Sequence, residues 1–69
     1  MSTYKLLLVS AVGDRDGMAI ELAIAESGEQ VAEVFADSVS GSRAVSFFTS
    51  EPVPLDVVEW FLEEAKRQL

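Results

Sequence analysis

The stretch Met18-Ala-Ile-Glu-Leu-Ala-Ile-Ala-Glu-Ser-Gly-Glu-Gln-Val-Ala-Glu-Val-Phe-Ala-Asp37 decides how this 69-residue chain folds. In its first half, Ile20, Leu22 and Ile24 alternate with Ala19, Glu21, Ala23 and Ala25. A two-residue period puts the branched side chains on one face of a strand. Alanine and glutamate favour helix, so a helical turn over Met18 to Glu26 competes with that reading. Ser27-Gly28-Glu29 breaks the pattern, and a second apolar segment runs from Gln30 to Asp37. Taken as a three-residue hairpin loop, the break sets Glu26 against Gln30. Leu22 then lies opposite Val34, Ile24 opposite Ala32, and Ile20 opposite Ala36. One face becomes wholly apolar, and the other carries Glu21, Glu33 and Asp37 beside Val31 and Phe35. A two-residue loop would instead seat Glu33 among Ile20, Leu22 and Ile24, because a one-residue slip exchanges the faces.

Outward from this hairpin, turn signals at 13–17, 38–42 and 52–54 separate three more segments. Tyr4 to Val12 and Arg43 to Thr49 are rich in Leu, Val and Phe and read as strands. If Arg43 closes the third hairpin opposite Ser38, Val45 and Phe47 join the apolar face, and Phe48 points outward beside Glu33. The tail reads as a helix. Pro54 suits the first helical position and Asp56 the first turn, where the helix dipole favours an anion. Leu55, Val58, Leu62, Ala65 and Leu69 recur at spacings of three and four, with Phe61 beside them. Asp56, Glu59 and Glu63 form the opposite stripe, and Lys66 and Arg67 occupy the last turn. Trp60 borders the apolar stripe and reads as a core residue. The expected architecture is α+β: a small antiparallel sheet of three to four strands with one C-terminal amphipathic helix packed on one face. Residues 1–69 form a single acidic domain.

Composition limits what such a domain can do. Twelve Asp and Glu stand against five Lys and Arg, giving a formal charge of -7, with no histidine and no cysteine. Histidine is the usual general acid or base near neutral pH, and disulfides and ordinary zinc sites are out of reach. The serines lie outside any nucleophile-elbow pattern, and paired carboxylates such as Glu63-Glu64 need a cleft to act on a glycosidic bond. No enzymatic activity and no cofactor are expected. Asp14-Arg15-Asp16-Gly17 resembles the opening of a calcium loop, but the remaining ligands are missing and Arg15 opposes a cation, so it reads as a polar hairpin turn. The start, with Lys5 before an apolar run, faintly imitates a secretory signal and reads as a buried strand. No stretch is long enough to span a membrane, and the charge opposes both anionic lipid and direct nucleic-acid binding. A cytoplasmic setting, with the chain a monomer or weak homodimer, is expected.

The same charge points to a basic protein partner. A 69-residue domain tolerates like charge at a cost in self-repulsion, so a negative surface aimed at Lys and Arg gives that charge a use. Two surfaces stand out. The outer sheet face carries Glu21, Glu33 and Asp37 around Phe35 and Phe48, with the aromatics as anchors and the carboxylates for steering. The helix stripe presents Asp56, Glu59 and Glu63 at one-turn spacing.

Taken whole, with stretches such as Gly28-Glu-Gln-Val-Ala-Glu-Val-Phe35 and Pro54-Leu-Asp-Val-Val-Glu-Trp-Phe-Leu-Glu-Glu-Ala65, the chain resembles small acidic phage-encoded anti-CRISPR proteins. It looks most like an inhibitor of a type I, such as a type I-C, surveillance complex in a bacterial host. The resemblance implies a protein that binds a subunit of the complex and blocks target DNA, in some cases by mimicking DNA. It carries no residue roles with it. The alternative from another class is an immunity protein or antitoxin that caps a basic toxin such as a nuclease. A third reading is a small structural subunit of a larger assembly.

Overall fold

The computed structural model describes residues 3–10 and 16–69. Four strands follow one another, β1 (Tyr4–Ser10), β2 (Gly17–Ile24), β3 (Gln30–Asp37) and β4 (Arg43–Phe47), and the helix α1 (Leu55–Gln68) closes the chain. The sheet is an antiparallel meander in the order β1-β2-β3-β4. The α+β expectation is met. Between strand and helix for Met18 to Glu26, the structure chooses strand. The end of the expected first strand at Ala11 and Val12, and the turn at Gly13, Asp14 and Arg15, lie outside the described residues.

The central hairpin reaches the expected faces by a different route. Its loop has four residues, Ala25 to Gly28: Ile24 N donates to Glu29 O at 2.9 Å, and Gly28 N donates to Ile24 O at 2.8 Å. Carried straight into the ladder, that loop would pair Ile20 with Glu33 and put a carboxylate under the helix. A bulge prevents this. Ala23 pairs with Gln30 but Leu22 pairs with Ala32, so Val31 is an extra residue on β3. Beyond it Ile20 pairs with Val34, and Glu21 with Glu33. The register therefore differs by two residues from the three-residue-loop expectation, which leaves every later side chain on its expected face. Val31 itself is the exception. Expected outside, it is buried with Ala32, Ile20 and Leu22 in the core, because neighbouring residues at a bulge can share a face.

The third hairpin repeats the same turn. Asp37 N donates to Ser42 O, Gly41 N donates to Asp37 O, and Arg43 pairs with Ala36 where Ser38 was expected. Both turns end on a glycine at φ 76°, the left-handed region that a Cβ disfavours.

Helix α1 covers one sheet face with Val57, Phe61 and Ala65 at its centre, against Ile20, Leu22 and Val34. This stripe sits one step round from the expected one. Leu55 is 72% exposed, and Val57 takes the place assigned to it. At the helix start Pro54 is the cap residue, not the first helical one, and its carbonyl accepts from Val57 N and Val58 N at 3.1 Å. Trp60 packs against the core as expected. One helix cannot cover four strands. Both edges are left partly bare, and β1, expected to be buried, exposes Leu7 and Leu8. Among the described residues no helix is long and apolar enough to cross a membrane.

Phe61 is fully buried and is the largest side chain in the core, so Phe61→Ala is expected to cost about 3–5 kcal/mol. Leu55→Ala should stay within about 0.5 kcal/mol. Urea unfolding of the two variants checks the contrast, and equal midpoints would overturn the helix placement. Gly28→Ala and Gly41→Ala meet no atom within 4 Å, so each should lose only the conformational term, roughly 1 kcal/mol. Their combination should lose about the sum, since distant sites add.

Candidate functional surface

The structure splits seven of the eight candidate residues between two opposite sides of the molecule, and Phe48 lies just past the end of β4. Glu21, Glu33, Phe35 and Asp37 share the sheet face turned away from the helix, where Glu21 lies directly opposite Glu33, and Phe35 opposite Ala44. Asp56, Glu59 and Glu63 stand on the far surface of α1. They are two surfaces, with the sheet and its core between them.

On the sheet face the carboxylates are less available than their alternation suggests. Glu33 is only 6% exposed, while Glu21 and Asp37 are half-buried. The Asp37 carboxylate is committed to its own turn, where Oδ1 accepts from Val39 N at 2.8 Å and Ser40 N at 3.4 Å. Phe35 is half-buried and Phe48 is 54% exposed. The expected ring of charges around exposed aromatics is thus reduced. Val31 leaves for the core, Glu33 is enclosed, and Phe48 remains as the open apolar group.

The helix stripe behaves as the sequence suggests. Asp56, Glu59 and Glu63 are exposed, and between described residues none of the three forms an ion pair. Asp56 Oδ1 accepts from Val57 N at 3.0 Å in the first turn, where a carboxylate also meets the positive end of the helix. The ion pair of this helix lies one turn from its end, between Arg67 and Glu64, with Gln68 also donating to Glu64. The donation from Arg67, then that from Gln68, holds the Glu64 carboxyl below its ordinary range and raises Arg67. A depressed carboxyl contributes at neutral pH and loses its contribution as pH falls through the lowered value. Arg67 is largely exposed, so solvent screening keeps the effect on stability small.

Exposed carboxylates also gather at one end of the sheet, which single-residue patterns do not show. Phe48 N donates to Val31 O, placing the exit of β4 beside the start of β3. The β2–β3 turn, the loop to the helix and the helix N-terminus therefore gather at one end, with Glu26, Glu29, Glu51 and Asp56 all exposed there. At the other end, which also holds Asp16 and Asp37, Arg43 and Lys66 line an open groove of ≈ 250 Å³ between β4 and α1, floored by Val34, Val45, Leu62 and Ala65. Among the described residues no three carboxylates lie close enough to hold a metal ion. Asp16 of the acidic first turn is exposed, and its carbonyl accepts from Ser38 N at 2.9 Å and Ser38 Oγ at 2.7 Å.

Comparison with known proteins finds no matching family model, no matching curated protein and no matching solved structure.

The unequal exposure of the two acidic surfaces has a measurable consequence. Glu33→Lys should lower stability by about 1–3 kcal/mol because the longer cation must fit an enclosed site, whereas Glu63→Lys should change it by less than about 0.5 kcal/mol. Chemical denaturation with circular dichroism reads both. A Glu33 variant as stable as the parent would show that face to be open.

Proposed function

We propose that this chain is a non-catalytic inhibitor that binds a type I CRISPR-Cas surveillance complex and blocks its access to target DNA. The partner surface is a Lys- and Arg-lined groove built for phosphate, and the helix stripe of Asp56, Glu59 and Glu63 occupies it. The observation that carries this reading is that these three carboxylates are exposed on one helix surface, and unbridged among the described residues, in a chain of net charge -7. The choice of a CRISPR complex among basic partners comes from the resemblance of the whole acidic chain to anti-CRISPR proteins.

Spacing shows what the stripe does alone and what it needs help with. Successive carboxylates advance about 4.5 and 6 Å along the helix, at a rise of about 1.5 Å per residue. Duplex DNA carries a phosphate about every 3.4 Å along each strand. The stripe is sparser than the phosphates it replaces, so charge steers the encounter and apolar contacts hold the complex. Leu55 and Phe48, both exposed near the acidic end, are the groups placed to make those contacts.

A pull-down with the tagged chain from cells expressing a type I complex, at low and high salt, tests the proposal. Capture that weakens with salt, with loss of target-DNA binding by the captured complex, is expected. Asp56→Asn combined with Glu63→Lys should weaken capture about tenfold or more while the helix signal persists, a loss near 1.4 kcal/mol. No capture at either salt overturns the proposal for the complex tested and moves the toxin-neutralising alternative forward, with a basic nuclease as the next bait.

A further inference from the structure

The outer edge of strand β4 is built to pair, yet among the described residues nothing pairs with it. It is exposed at every residue. Phe48 N donates inward to Val31 O, and Ser42 O accepts from Asp37 N, so the even-numbered residues turn their backbone groups toward β3. With a period of two, the N–H and C=O groups of Arg43, Val45 and Phe47 point out from the open edge. Val45 and Phe47 sit on the helix-covered side, opposite Val34 and Ala32, yet they remain 46% and 49% exposed because α1 does not reach them. Edges of this kind are usually blunted by charge, proline or a covering element. Here the strand Arg-Ala-Val-Ser-Phe carries one charge, at its end, and no acid.

We infer that β4 is the interface of a two-fold homodimer, in which two copies pair antiparallel about Val45 and join their sheets into one of eight strands. The occupant is a second copy because the charge along this edge is self-complementary. Arg43 and Lys66 mark one end, where the Asp37 carboxylate is held by its own turn, and Glu51, Asp56 and Glu59 lie toward the other. Along α1, Leu55, Leu62 and Lys66 share the flank that faces β4, and Glu59 borders that flank from the far surface, since all four fall within one narrow sector at 3.6 residues per turn. An antiparallel two-fold axis through Val45 sets Arg43 of each copy across from Phe47 of the other, on the side of that copy's Glu59. Cations meet the anionic end twice, and Val45 meets Val45 on the axis. The flank of α1 on the other side carries Glu64 and Arg67, which pair with each other, so its cation is already engaged. The net charge of each copy opposes association. At physiological salt that opposition is screened beyond about 8 Å, while the contacts at the seam are not.

Sedimentation equilibrium of the full chain from micromolar to about 1 mM, with hydrogen exchange read by NMR, tests the inference. A monomer–dimer equilibrium is expected. The amides of Arg43, Val45 and Phe47 should gain protection as concentration rises, while those of Ala44, Ser46 and Phe48 stay protected throughout. Val45→Pro removes an outward N–H that the monomer does not use and should leave a folded monomer. Glu59→Lys and Arg43→Glu should each weaken the dimer about tenfold, and the two together should restore it. A chain monomeric to 1 mM, assembly beyond the dimer, a dimer indifferent to the charge reversals, or protection of β4 that appears only with a different protein would each overturn it.

Discussion

Val31 is the residue on which the rest of this structure depends, through the parity that it sets. A sheet with one covered face must bring the right alternate residues to that face on every strand. The four-residue turn before β3 delivers the wrong set, and the extra residue at the bulge delivers the right one. From that point Val34 meets Ile20 and Ala32 meets Leu22, giving Phe61 an apolar floor to pack on. Glu33 is turned to the far side by the same displacement. In a domain of this size, with no cysteine to staple it, one buried carboxylate under the helix would rival the whole margin of stability.

Much of this architecture was legible in the sequence, and the reasons for the rest are specific. The alternation of Ile20, Leu22 and Ile24 against Glu21 predicts both the strand and its inner face, and these survive because faces depend only on parity. Loop length and bulge are invisible to that argument, since two compensating irregularities leave the same alternation. Val31 could not be placed for this reason. Along the helix, the three-and-four spacing admits two neighbouring stripes, and packing of Phe61 on the sheet goes with the one through Val57. Edge or centre is decided by strand order, which no single segment records, so Leu7 and Leu8 read as buried although they are not.

The candidate surface was legible in part, for a related reason. Exposed helical carboxylates follow directly from helical geometry, and Asp56, Glu59 and Glu63 stand where that geometry puts them. The sheet carboxylates depend on what surrounds them. Enclosure of Glu33 and the engagement of Asp37 by Val39 and Ser40 are consequences of tertiary structure and turn chemistry. The gathering of Glu26, Glu29, Glu51 and Asp56 at one end needs the strand order and the path of the loop after Phe48. It emerges only once the chain is folded, although every charge in it can be counted beforehand.

The plain meander order has a further bearing on how the domain forms. Each strand pairs with the one that follows it directly in the chain, and the two described hairpin turns between them have four residues each. Closing such short loops costs little chain entropy, and no strand must wait for a distant partner. Folding rate falls as the mean sequence separation of contacting residues rises, and here that separation is kept low by topology. The two middle strands hold the floor of the core and are joined by one tight turn, so the hairpin they make can form before either edge is added. Speed of this kind shortens the time for which Val45, Phe47 and Phe48 are loose on an unfinished sheet, a useful property in a chain whose last strand is also its barest.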